Sequence, residues 1–113
     1  MNNSKSKKYI DIPNELIEAI YKSKMKGTQI AIILTVIKHT YGNKQKQSKL
    51  STSQIASCIG RDRINIAKEL NKLINCKIID VVSSDAQGIR ILKINENYSE
   101  WQRQSRKRDK SYV

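Results

Sequence analysis

A small, mainly α domain carrying one β-hairpin is what this sequence predicts, and three observations predict it. Residues 51–60, S-T-S-Q-I-A-S-C-I-G, open on a helix-start signal and close on a glycine. Residues 61–73, R-D-R-I-N-I-A-K-E-L-N-K-L, place apolar side chains at helical spacing on one side and basic or amide side chains on the other. Two β-branched runs then flank a polar turn, S-S-D-A-Q-G. Helix, tight turn, polar-faced helix and hairpin, in that order, form the pattern of a winged helix-turn-helix.

The first helix is read from I-P-N-E-L-I-E-A-I-Y, where Pro13 suits a first-turn position and Leu16, Ile17 and Ile20 form a stripe at helical spacing. It is expected to end near Gly27. A second helix is expected over residues 28–41, with Gly42 as its left-handed stop. Ile30, Ile33, Leu34 and Ile37 share one face, and Ala31, Ile32 and Val36 cover much of the other. A helix apolar nearly all round must be covered on more than one side, so it is the spine of the domain or part of a subunit contact. Residues 43–49, N-K-Q-K-Q-S-K, have no apolar period and three lysines. They predict an exposed loop, either a solubilising connector or a phosphate-contacting segment.

The third helix has the most specific start. Ser51 and Gln54 make an S-x-x-Q capping box, and Leu50 and Ile55 stand where a hydrophobic staple needs them. Gly60 supplies the positive φ of a tight turn, and Asp62 can cap the next helix by accepting backbone N–H bonds. On a wheel of residues 62–77, Ile66, Leu70, Leu73 and Ile74 lie on one side. Arg61, Ile64, Asn65, Lys68, Asn71 and Lys72 lie on the other.

That outer face has the chemistry of direct base readout: Arg offers a bidentate pair to guanine, Asn to adenine, and Lys reaches phosphate or guanine. The plain alternative for Arg63, Asn65 and Lys68 is a solvated face with Asp62 and Glu69 as charge partners. Their position directly after the turn favours nucleic-acid contact. Ile64 can touch a thymine methyl, or pack beneath the turn or against the wing, and packing is the favoured reading. In the hairpin, Arg90 projects opposite to Ile89 and Ile91, toward a sugar-phosphate backbone or minor groove. Ser84 and Gln87 at the tip are hydrogen-bonding candidates, while Asp85 there would repel phosphate.

Composition sets the outer limits. A chain of 113 residues with 38% apolar content has room for one core. Residues 9–101 are expected to form it, between a basic flexible arm over 1–8 and a basic flexible tail over 102–113. Twenty-two Lys and Arg against 10 Asp and Glu give a net charge of +12, which points to a polyanionic partner, nucleic acid before membrane. No signal peptide or spanning apolar run is present, so a cytoplasmic protein is expected. Cys58 and Cys76 lack paired C-x-x-C spacing and read as reduced core thiols rather than metal ligands. With one histidine, His39, expected near a helix end against Tyr41, sparse carboxylates and no Gly-rich phosphate loop, an enzyme is not expected, nor a metal or cofactor.

Four stretches carry a resemblance: I-P-N-E-L at 12–16, I-K-H-T-Y-G at 37–42, S-T-S-Q-I-A at 51–56 and N-Y-S-E-W at 97–101. Together they resemble the N-terminal domain of the lambda-type phage replication protein O family over roughly residues 9–101. The second and fourth are the specific ones, since a helix-turn-helix is generic. The chain departs from the family pattern at Asn43, where members often have Trp, so a stacking role for that aromatic is absent.

The resemblance implies an origin-binding initiator that binds repeated sites on double-stranded DNA as a homodimer. In the family a further C-terminal region recruits the helicase loader. Only a basic tail follows Trp101 here, so a truncated DNA-binding domain or a short stand-alone member is expected, with that partner reached only through a missing region. The expected mechanism inserts Arg61, Arg63, Asn65 and Lys68 into the major groove, with Ile64, Lys72 and Gln87 as further contacts. Ser51, Thr52 and Ser53 would hold phosphate at a helix N-terminus, and Arg90 and the tails would add charge on the backbone. A small phage or plasmid transcription regulator would use the same residues on an operator. An interaction module that holds protein instead predicts that Asn65 and Lys68 are dispensable for DNA.

Overall fold

The computed structural model describes residues 9–102. Its elements run α1 (Asn14–Lys22), α2 (Gly27–His39), β1 (Gln47–Leu50), α3 (Thr52–Ile59), α4 (Arg63–Asn75), β2 (Ile79–Ser84) and β3 (Arg90–Ile94). The described residues are thus mainly helical with a small antiparallel sheet, in which β3 lies between β1 and β2. The expected arm over 1–8 and all but the first residue of the expected tail lie outside the described residues.

α1 is shorter than its sequence suggests. Pro13 sits at the N-cap rather than in the first turn, and the helix stops at Lys22, where the Ser23 hydroxyl donates to the Ile20 carbonyl at 2.6 Å. Gly27 therefore opens α2 instead of closing α1. Leu16 is fully buried while Ile17, one residue on, is exposed. α2 is the spine: Ile32, Ile33, Val36 and Ile37 are all buried, and only Leu34 among its large apolar residues stands mostly in solvent.

The end of α2 corrects two expectations. The helix stops at His39, and the left-handed residue is Lys44 (φ 59°), not Gly42, which lies in a 3-10 turn over Tyr41–Asn43. Gly42 is small for another reason, because a Cβ there would lie 3.3 Å from Ile10 Cδ1. Buried Thr40 organises the turn: its hydroxyl donates to the Val36 carbonyl at 2.8 Å, and its own carbonyl accepts from the Asn43 and Gln45 amides, both at 2.9 Å. The T-Y-G segment is thus the joint between α2 and β1.

β1 replaces part of the expected loop. Residues 47–50 pair with β3 from Gln47↔Lys93 to Leu50↔Arg90, so the expected hairpin is a three-stranded sheet. Only Leu50 of this strand is buried, which is why no apolar alternation marks it. β2 and β3 form the hairpin that was expected, with a register shift between Val81 and Ser83 that leaves both Val81 and Val82 exposed.

After β3 the chain returns across the end of α4. Trp101 Nε1 donates to the Asn95 carbonyl at 2.8 Å, and its ring meets Tyr98 edge-on at 5.5 Å. Asn95 Nδ2 donates to the Lys77 carbonyl and the Gln102 amide to that of Cys76, both at 2.8 Å. The N-Y-S-E-W segment is therefore a clasp that fixes the C-terminal end of α4 to the end of the sheet. Cys76 is half-buried there, and burial pushes its thiol pKa up. Cys58 is exposed and not a core thiol, because α3 turns Ile55 and Ala56 inward and carries position 58 outward. Among the described residues, no helix is long and apolar enough to cross a membrane.

Candidate nucleic-acid interface

The turn between α3 and α4 is built by local hydrogen bonds. Ser51 Oγ accepts from the Gln54 amide at 3.0 Å, and Gln54 Oε1 accepts from the Ser51 amide at 2.9 Å, the reciprocal cap that the S-x-x-Q spacing predicts. Gly60 adopts φ +81°, which a side chain would strain, and its amide donates to the Ala56 carbonyl at 2.8 Å. Asp62 Oδ2 accepts from the Asn65 amide at 3.0 Å and so caps α4. α4 then buries Ile66, Leu70 and Leu73 completely.

The opposite side of α4 is open. Arg61, Arg63, Ile64, Lys68 and Asn71 are exposed, while Asn65 and Lys72 are half-buried on its flank. Ile64 is 76% exposed, so it neither packs beneath the turn nor against the wing. A cleft of about 240 Å³ lies beside this face, lined by Leu50, Ser51, Thr52, Ser53, Arg63, Gly88, Ile89 and Arg90. Five of the residues singled out in the sequence, Ser51, Thr52, Ser53, Arg63 and Arg90, therefore share one concavity although they come from three elements. The register explains Arg90: it is paired with Leu50 on one side and Ser84 on the other, directly across from the start of α3. First-turn N–H groups of a helix, two guanidinium groups and three hydroxyls make a donor set suited to an oxyanion such as phosphate.

The turn between β2 and β3 departs from expectation at Asp85. Its Oδ1 accepts from the Gln87 and Ile89 amides, both at 2.9 Å, and its Oδ2 lies 3.2 Å from Lys49 Nζ. The Ile89 amide first, then Lys49 and the Gln87 amide, hold this carboxyl below the usual aspartate range. Its charge shapes the turn and is matched by Lys49, so it is not a free charge set against phosphate. Gln87 remains exposed at the tip.

Glu69 also lies elsewhere than its sequence suggests. It is buried rather than solvated, and its Oε1 accepts from Gln29 Nε2 at 2.8 Å, while its Oε2 lies 3.6 Å from Lys26 and 3.7 Å from Lys72. Lys72 thus shares the Glu69 carboxylate with Lys26, the N-cap residue of α2. The available signal was the position of Glu69, three and four residues from Ile66 and Leu73, on the border of the apolar stripe.

At the far end of the sheet, Tyr41 donates its hydroxyl proton to Glu96, whose carboxylate lies 2.7 Å from Lys46 Nζ. Burial, then Glu96, pushes the Tyr41 pKa well above its ordinary value. Lys46 also stands 5.5 Å from the centre of the Tyr41 ring. His39, the last residue of α2, donates from Nδ1 to the Thr35 carbonyl at 2.9 Å.

A family model described as bacteriophage replication protein O matches residues 3–101. No curated protein and no solved structure matches the chain.

Proposed function

The chain belongs to the bacteriophage replication protein O family, and on that premise we propose that it recognises repeated sites in a phage or prophage replication origin as a winged helix-turn-helix. α4 is the recognition helix. It lies in the major groove with Arg61, Arg63, Asn65 and Lys68 toward base edges and nearby phosphates. Ser51, Thr52, Ser53 and Arg90 hold one phosphate in the cleft at the start of α3, with Arg63 as its second cation. Lys72 and Gln87 touch the backbone at the margins of the contact. The observation that carries this reading is the cleft, which sets hydroxyl and guanidinium donors immediately beside an exposed basic helix face.

Binding is as a homodimer on paired half-sites in the cytoplasm of the host cell, and the replication machinery is a partner only through a further C-terminal region of the kind the family carries. Footprinting on the DNA of the source phage tests the reading. Clustered repeats protected by the wild-type chain, with protection lost in Asn65→Ala and Lys68→Ala, are expected. A single protected operator over a promoter would overturn origin recognition, and unchanged binding by both variants would overturn α4 as the reader. Sedimentation at micromolar concentration tests the dimer, which a strict monomer both free and on DNA refutes.

A further inference from the structure

Ile64 has no structural employment. It is 76% exposed at the second position of α4, about 200° around the helix from the fully buried Ile66, and nothing in the turn or the wing covers it. Exposing a branched apolar side chain on a helix otherwise faced by Arg, Lys and Asn leaves apolar area in water that a bound surface can remove.

The neighbours of Ile64 identify what that surface is. Arg61 precedes it by three residues, in the turn that leads into α4, and Lys68 lies one helical turn after it, both exposed. An apolar protein surface covering Ile64 would have to desolvate both cations without partners, which is costly. The major groove has no such conflict, since it presents phosphates and guanine acceptors to flanking cations and one apolar group, the 5-methyl of thymine, on its floor. Ile64 also lies in the first turn of α4, the part of a recognition helix that meets base edges, and its β-branch holds it in few rotamers. We infer that Ile64 is a specificity-determining residue that reads the 5-methyl group of a thymine, in a step flanked by the contacts of Arg61 and Lys68. This rests on the DNA-reading role of α4 and adds to it a defined base.

The test removes the methyl group alone. Duplexes are selected from a random pool with the full wild-type chain, and each thymine of the selected site is replaced in turn by deoxyuridine. At one thymine per half-site, wild-type affinity is expected to fall about fourfold, as burial of one methyl-sized group implies. Ile64→Ala is expected to bind the thymine and uracil duplexes equally while keeping its preference at other positions. Its site is exposed and alanine favours helix, so thermal unfolding should match the wild type. Full tolerance of uracil at every position, or a methyl preference that survives in Ile64→Ala, overturns the inference while leaving DNA binding by α4 intact. Failure to select any preferred sequence overturns both.

Discussion

Glu96 shows how single side chains here are committed to joints rather than to chemistry. Its carboxylate takes hydrogen bonds from Lys46 and Tyr41, which hold its pKa below the usual glutamate range, Lys46 contributing most. A carboxyl with a depressed folded pKa stabilises the fold fully above its unfolded value of about 4.3, and that stabilisation is lost as pH falls through the folded value. Glu96→Gln should therefore lower the melting temperature at neutral pH and flatten its decline on acidification. An acid limb as steep as in the wild type would show that Glu96 does not drive it. Ser51, Gln54, Gly60 and Asp62 behave as their identities predict because each acts through backbone groups within four residues. Asp85, Cys58 and Ile64 could not be placed that way. Whether a charge is matched, or a side chain is covered, depends on Lys49 and on the packing of α3 and α4, which lie outside the local window.

Among elements, α4 has two seams. One is the apolar seam of Ile66, Leu70 and Leu73, and the other is polar, where Glu69 joins Gln29 at the start of α2. Gln29 Oε1 also accepts from the Lys26 amide at 3.1 Å, so Glu69 ties α4 to the cap of the spine. Removing one partner of a buried charged hydrogen bond costs about 1–3 kcal/mol. Glu69→Ala should lower the urea midpoint by that amount of stability, and Glu69→Gln, which keeps an acceptor, by less. Equal midpoints for wild type and Glu69→Ala would show that the polar seam adds nothing. The helices were legible from spacing, and so was the hairpin, because its two runs are β-branched and its turn residues are polar. β1 was not legible: its sequence, Q-S-K-L, buries one side chain and is held by backbone pairing to a strand some forty residues away.

For the whole molecule, a net charge of +12 predicts that the proposed binding to DNA depends strongly on salt. If six phosphates are neutralised, log K should fall against log salt with a slope of about −5, and Arg63→Ala should make that slope shallower by about one. A slope near zero, read from fluorescence anisotropy between low and moderate salt, would remove the electrostatic part of the proposed mechanism. α2 also bears on assembly. Its near-continuous apolar character is absorbed by the core of one chain, with Leu34 left out, so the proposed dimer would draw its apolar contact from exposed residues such as Ile17, Tyr21, Leu34, Val81 and Val82.

The sequence by itself determined where α3 and α4 start, where the turn between them bends, which side of α4 is apolar and which family the chain resembles. Those properties are local: a cap, a positive φ and a helical period need only neighbours a few residues away. The T-Y-G and N-Y-S-E-W segments marked the family without revealing their work, since a joint at α2 and a clasp on α4 exist only once distant backbone groups meet. Tertiary structure alone decided the third strand, the burial of Glu69, the matching of Asp85 by Lys49 and the gathering of Ser51, Thr52, Ser53, Arg63 and Arg90 around one cleft. Each depends on segments far apart in the chain being brought to within a hydrogen bond or a van der Waals contact, a condition that the packing of the core imposes.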